Sequence, residues 1–325
     1  MKPVPSLRQL AYLIALHEHG HFGRAAAACF VSQSALSVGI AELERLLETS
    51  LVERSRRHVH FTPIGEEIVV RARQMVRAAE DLHVAAQRSY EPLVGALRMA
   101  VIPTIAPFLL SSILPAVARD WPRLQLYVRE MLTKVACEAM ERGTIDCVLL
   151  ALPVECGEVE SFDIAVDRLV LVAAKGQDEM ASPLCDADHE RLLLLEDGHC
   201  LKEHALAACN RGAAEIESRL VASTLHTLVQ LVDAGLGYTL LPQMAIDADI
   251  LDRTRIESRP AESLHAKRKI ALVWRSGHPR TGDFKLLGET IRKAVGGDAA
   301  NAASRLSANL DQSSGLGARA SPGSS

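Results

Sequence analysis

From residue 95 to residue 296 the chain alternates strand-like and helix-like runs, and this restricts its fold more than any other feature. Gly95 and Leu97-Arg98-Met99-Ala100-Val101 open the series, and the apolar helix pattern Ile105 to Ala118 follows across Pro103-Thr104. Leu124-Gln125-Leu126-Tyr127-Val128 reads as a second strand, followed by a helix through Met140 and the buried strand Ile145-Asp146-Cys147-Val148-Leu149-Leu150. Further units are Arg168 to Ala174, Arg191 to Leu195, a helix from Ser223 to Ala234, Tyr238-Thr239-Leu240-Leu241-Pro242, and Ile270 to Trp274. Parallel strands need a crossover, usually a helix, so the alternation predicts parallel α/β sheets.

The first ninety residues follow another rule. Leu7, Leu10, Ala11, Leu13, Ile14 and Leu16 have helical period, and Gly20 ends the run. Phe22 to Ala28 reads as a short second helix, and Ser32 caps a third, Gln33 to Leu47. Ala35, Leu36, Ile40, Leu43 and Leu47 face a small core, which leaves Gln33, Ser34 and Ser37 outside, near the helix N-terminus. That end of a recognition helix meets base edges, and a helix N-terminus favours phosphate. The alternating stretch Leu51 to Thr62 reads as a two-stranded wing, with Arg54, Arg56 and Arg57 as phosphate contacts. Pro63 opens a long helix to about Ser89, with Thr62 as its cap. Its apolar positions, from Ile64, Ile68 and Val69 through Met75 and Leu82 to Ala86, keep near-heptad spacing and want a partner helix.

A chain of 325 residues can hold two or three domains, and its net charge of -4 gives no bulk field for nucleic acid or membrane. Residues 1–90 hold eleven basic against nine acidic side chains, which permits DNA binding without demanding it. No signal core or eighteen-residue apolar run is present, so a cytoplasmic location without a membrane partner is expected. The seven cysteines, at 29, 137, 147, 156, 185, 200 and 209, show no C-x-x-C spacing. No metal site, cofactor or structural disulfide framework is expected.

Two of these cysteines stand nine positions apart, in Leu195-Glu196-Asp197-Gly198-His199-Cys200-Leu201 and at Cys209. Continuous helix, at ~1.5 Å per residue, would hold their Cα atoms ~13.5 Å apart. A disulfide needs roughly 7 Å or less. The pair bonds only if the segment between bends or unwinds; the plainer alternative is two small apolar residues in a packed segment.

Phe22-x-Arg24-Ala25-Ala26, Val31-Ser32-Gln33-Ser34-Ala35-Leu36-Ser37, Ile40, Leu43-Glu44, Leu51-Val52-Glu53-Arg54 and Phe61-Thr62-x-x-Gly65 resemble the winged helix-turn-helix of LysR-type transcriptional regulators. Two positions depart from the pattern: Ser34 stands where Pro is usual, and Glu48 where a helix-ending Gly is common. The resemblance implies an α+β multi-domain chain. A winged helix-turn-helix occupies 1–62, with DNA contacts from Arg24, Ser32, Gln33, Ser34, Ser37, Arg54, Arg56 and Arg57. A dimerisation linker helix spans 63–94, and a two-lobed α/β effector domain of periplasmic-binding-protein type spans 95–296, with Gly235-x-Gly237 before its return strand. The Ala/Ser/Gly-rich tail 297–325 is expected to be disordered.

Within that frame the Cys200 segment with Cys209 is similar to the sensing segment of the hydrogen-peroxide-responsive members of the family. Ile102-Pro103-Thr104, Ile145-Asp146-Cys147-Val148 and Leu272-Val273-x-Arg275 are similar to the same members. The resemblance implies that Cys200 is oxidised by peroxide to a sulfenic acid and Cys209 resolves it to a disulfide. It also implies a peroxide pocket of Thr104, Thr133, His199 and Arg275. The thiolate is the nucleophile, and His199, the following helix N-terminus and an arginine would each favour the anion. Plainer roles stand beside these. Thr104 and Thr133 would cap helices, Arg275 would form a surface ion pair, and His199 would order a turn. Cys29, Cys137 and Cys147 read as inert core thiols, Cys156 and Cys185 as loop cysteines without a partner, and His204 and His226 receive no role.

The expected function is a peroxide-sensing activator of oxidative-stress genes, not an enzyme. Its expected partners are double-stranded operator DNA, hydrogen peroxide, RNA polymerase and copies of itself as dimer or tetramer. The alternatives are a regulator binding a metabolite between the lobes, with Ala222-Ser223-Thr224 at a helix start, and a thiol peroxidase, for which the winged helix has no purpose.

Overall fold

The computed structural model describes residues 4–54, 59–88, 92–177, 191–209, 220–261 and 266–296. Arg56, Arg57, Cys185, the tail 297–325 and the side chain of Arg54 lie outside the described residues. The chain divides into two compact units, Met1–Val94 with Glu138–Asp146, and Gly95–Cys137 with Cys147–Ser325.

In the first unit, α1 (Leu7–His19) starts on a capping box between Ser6 and Gln9 and ends on left-handed Gly20. Helix α2 (Phe22–Ala28) is capped by an aromatic, the His21 ring accepting from the N–H groups of Gly23 and Arg24. Ser32 accepts from the Ala35 N–H at 3.2 Å and starts α3 (Gln33–Leu47). Leu10, Leu13, Leu16, Leu36, Ile40, Leu43 and Leu51 form the core, and each fully buried leucine contributes about 1.5–3 kcal/mol. Glu48 occupies the helix-ending position with φ 53°, and the N–H groups of Glu48 and Thr49 return to Arg45 and Glu44. A non-glycine residue thus makes the left-handed exit at some cost.

Strands β1 (Val52–Arg54) and β2 (Val59–Phe61) pair antiparallel as the wing. Thr62 Oγ1 accepts from the Gly65 N–H at 3.0 Å and opens α4 (Pro63–Arg88). A Cβ on Gly65 would lie 2.1 Å from the Leu51 carbonyl, which is why the Thr62-x-x-Gly65 turn needs glycine. Part of the α4 stripe is used within this unit. Val69 and Ala72 are buried in the core with Ile68 and Val76 beside them, whereas Ile64, Met75 and Leu82 are exposed.

The second unit is built on one seven-stranded sheet of mixed direction, not on the wholly parallel sheets expected. Strand β3 (Gly95–Val101) pairs parallel with β4 (Leu124–Glu130) and β5 (Cys147–Leu152) across helices α5 (Ala106–Asp120) and α6 (Thr133–Glu141). Strand β6 (Val159–Ala174) is far longer than the predicted Arg168–Ala174. Its first half pairs antiparallel with β11 (Lys267–Arg275), and its second half with β9 (Tyr238–Pro242) and β10 (Ile256–Pro260). One strand therefore carries the chain from one lobe into the next and β11 brings it back, so their pairings run antiparallel.

The second lobe adds β7 (Leu194–Leu195) parallel to β8 (Val221–Ala222). Helices α7 (Cys200–Ala208), α8 (Leu225–Asp233) and α9 (Gln243–Asp247) complete it around Leu171, Leu195, Leu206, Leu228 and Leu240. Thr224 caps α8 through the Thr227 N–H. A Cβ on Gly237 would lie 2.0 Å from the Arg191 carbonyl, which accounts for the second glycine of Gly235-x-Gly237. A final helix, α10, spans 281–296.

One finding overturns an expectation outright. Cys137 and Cys156 are joined by a disulfide across 19 positions, with Cα atoms 5.2 Å apart. Cys137 is not an inert core thiol, and Cys156 has a partner.

Candidate functional site: a thiol at a helix start and a buried arginine

Cys200 is the first residue of α7 and Cys209 its C-cap, and neither is disulfide-bonded. The helix between them is unbroken, so the ~13.5 Å separation expected for nine helical residues applies. His199, the N-cap, makes no side-chain cap bond. Its ring is buried, with Nε2 4.0 Å from the Glu196 carboxylate, beyond hydrogen-bond reach.

Two supports reach α7 from the first lobe. The Cys200 N–H donates to Thr133 Oγ1 at 3.4 Å, and the Pro153 carbonyl accepts from His204 Nε2 at 2.9 Å. Thr133 is the first residue of α6, and its hydroxyl faces Cys200.

The buried arginine whose charge acts on this thiol is Arg268, and not the predicted Arg275. Arg268 is buried; its Nε donates to Asp167 Oδ2 at 2.9 Å, and its two terminal nitrogens to Thr104 Oγ1 at 2.8 Å and the Thr104 carbonyl at 3.0 Å. Asp167 Oδ1 accepts from the Met244 N–H at 3.1 Å, so one network ties β6, β11, α9 and the turn after β3. Arg275 lies seven residues further along β11, roughly 23 Å away at strand rise. The register explains the difference. Lys269 pairs with Leu152 at the carboxyl end of β5, where Thr104 also follows β3, while Arg275 pairs with Val159 at the opposite end. Sites in such folds form beyond the carboxyl ends of parallel strands. Thr104 is not a helix cap either: Ile105 holds that position without a side-chain bond, and the Thr104 hydroxyl accepts from Arg268.

Sequence reasoning missed Arg268 because Lys267-Arg268-Lys269 reads as a solvated charge run. The usable signal was period two. Arg268 shares its face of β11 with Ile270 and is buried like it, whereas Lys267 and Lys269 are exposed.

The electrostatics differ from the expectation of a ready thiolate. Burial pushes the Cys200 thiol up, against the Thr133 hydroxyl, the Arg268 cation and the Ala151 backbone, which pull it down. Burial also lowers His199 and His204, so both rings are neutral near neutral pH, and His199 supplies no cation. The influences that favour the thiolate are the Thr133 hydroxyl, the Arg268 cation and the Ala151 backbone.

In the first unit, Ser32, Gln33 and Ser34 are exposed at the start of α3 and Ser37 is half-buried behind them. Arg24 is exposed and donates to the His19 carbonyl at 2.7 Å. Arg54 lies at the end of β1.

Residues 7–66 match the lysR family of bacterial regulatory helix-turn-helix proteins, and residues 91–296 match the LysR substrate binding domain. The chain belongs to the LysR family. Among other LysR-type proteins it is 42% identical over 301 residues to the HTH-type transcriptional regulator EstR of Acinetobacter baylyi, covering 90% of this chain and 98% of that one. It is 36% identical over 295 residues to the dual regulator OxyR of Escherichia coli K12, covering 90% and 96%. In structure it is similar to a full-length OxyR from Pseudomonas aeruginosa bearing a cysteine-to-aspartate substitution. That match has a TM-score of 0.71 and 31% identity, and covers 89% of this chain and 98% of that one. A peroxide-bound OxyR cysteine variant from Corynebacterium glutamicum matches with a TM-score of 0.61 and 32% identity over 94% and 97%.

Proposed function

We propose that this LysR-family protein is a DNA-binding transcription activator that senses hydrogen peroxide through Cys200 and Cys209. The observation that carries the reading is a cysteine at the first position of α7, with Thr133 and Arg268 acting on its thiol and a second cysteine capping the same helix. The Cys200 thiolate attacks one peroxide oxygen, the O–O bond breaks, and the departing hydroxide takes a proton to leave as water. The Thr104 hydroxyl accepts from Arg268, so its own proton is free to be donated to the peroxide or to the leaving oxygen. The Cys209 thiolate then attacks the Cys200 sulfenic sulfur, and the second oxygen leaves as water.

That second step needs α7 to unwind. Refolding of the segment shifts the effector domains within a dimer or tetramer and resets the spacing of the DNA-binding heads. Ser32, Gln33, Ser34 and Ser37 meet the operator, Arg24, Arg54, Arg56 and Arg57 hold phosphate, and α4 dimerises through its exposed Met75 and Leu82. The protein acts in the cytoplasm, where DNA lies, and passes its signal to RNA polymerase.

The test is a DNA footprint with and without peroxide. The natural chain changes its footprint, and Cys200→Ser does not; an unchanged peroxide response in that variant refutes the reading. The 42% identity to EstR, a regulator not named for peroxide, makes a metabolite effector the second reading. Tight, redox-independent binding of a metabolite in calorimetry would favour it.

A further inference from the structure

The Cys137–Cys156 bridge lies against the supports of α7. Cys137 sits one turn into α6, the helix that begins with Thr133. Cys156 lies in the irregular stretch 153–158 after β5, which also contains Pro153, and the Ala151 backbone just before that stretch pulls the Cys200 thiol down. The bridge therefore joins the two segments that touch Cys200 and His204 from the first lobe. Both of its cysteines are 5% exposed, and Cys156 stands between the exposed residues Glu155 and Gly157. In a compartment that keeps thiols reduced, a disulfide is more often redox-active than structural.

We propose that Cys137 and Cys156 form a second, reversible redox couple that exchanges with small-molecule thiols and disulfides and controls how readily α7 unwinds. The coupling to α7 rests on the proposed peroxide chemistry at Cys200; the couple itself does not. In the reducing direction a small thiolate attacks the Cys156 sulfur, the S–S bond breaks, and Cys137 leaves as thiolate and is protonated. A second small thiolate then attacks the mixed disulfide and releases Cys156, which is also protonated. Two electrons pass to the protein and one small-molecule disulfide is formed. With the bridge closed, the stretch carrying Ala151 and Pro153 is tied to α6 and holds α7 helical. With it open, that hold loosens and Cys209 reaches Cys200 sooner.

The test has two arms on the full-length protein. First, the chain is equilibrated in glutathione buffers of graded ratio, alkylated and analysed by mass spectrometry. Cys137 and Cys156 are expected to become alkylated together, as one two-electron couple; labelling of either alone, or no labelling at any ratio, overturns the proposal. Second, after a peroxide pulse, closure of Cys200–Cys209 is timed in the bridged protein and in Cys137→Ser/Cys156→Ser. Closure is expected to be faster in the variant by on the order of fivefold, and equal rates overturn the coupling. If Cys200 forms no sulfenic acid in either protein, the peroxide reading fails, while co-titration still decides the couple.

Discussion

Helices α3 and α7 both follow a turn and both begin at residues assigned to function, Gln33 and Cys200, yet they are held in opposite ways. Helix α3 has fifteen residues, a Ser32 side-chain cap, a buried stripe of Leu36, Gly39, Ile40 and Leu43, and a left-handed exit at Glu48. Its polar first turn faces outward. Helix α7 has nine residues, a cap without a side-chain bond, and burial of Cys200, Leu201, His204, Ala205, Leu206 and Ala208. A helix that short is marginal alone, so its surroundings hold it, Thr133 and Pro153 among them. Helix α3 is long and side-chain-capped; α7 is short, lacks a side-chain cap and leans on its neighbours, which is the contrast the proposed unwinding uses.

The largest expected effect concerns those surroundings. Arg268→Met leaves the Asp167 carboxylate buried without its cation and should cost about 3–5 kcal/mol in denaturant unfolding. Arg275→Met should stay within about 0.5 kcal/mol. Equal costs would return the site arginine to Arg275. Next comes pH. Burial raises the Cys200 thiol, so the thiolate is the minor form at neutral pH, and its oxidation rate should climb about tenfold per pH unit from pH 6 to 8. A flat profile, measured by sulfenic-acid trapping, would mean that the arginine and threonine outweigh burial.

The third prediction sets the helices directly against each other. Ser32→Ala should lower stability of the first unit by about 1 kcal/mol and weaken DNA binding in both redox states. Ala207→Gly, at an exposed position of α7, also costs about 1 kcal/mol. That change should instead speed Cys200–Cys209 closure about fivefold. If Ala207→Gly leaves closure unchanged, unwinding of α7 is not the slow step. Smallest is Glu48→Gly, which relieves the left-handed strain at the end of α3 and should stabilise the first unit by about 0.5–1 kcal/mol, read by thermal unfolding.

The two regions also differed in how far the sequence disclosed them. The limits of α3 were legible because cap, period and exit are local, and Ser32, Gln33 and Leu47 announce them. The neighbours of α7 were not, because they come from distant strands. Arg268 was masked by the lysines on either side and revealed only by the register of β11 against β5. The first half of β6 lies outside the predicted Arg168–Ala174, although Phe162 and Ile164 turn inward while Ser161 and Asp163 are exposed. Asp167, buried opposite Arg268, was lost with it. The Cys137–Cys156 bridge joins a helix to an irregular stretch 19 positions away, a spacing with no signature.

The most direct test of the account is mass spectrometry of the natural chain after a brief peroxide pulse, combined with amide hydrogen exchange over residues 200–209. The account predicts a Cys200–Cys209 disulfide that forms together with loss of exchange protection along α7. A changed DNA footprint while Cys200 and Cys209 remain unlinked and α7 stays protected would contradict it.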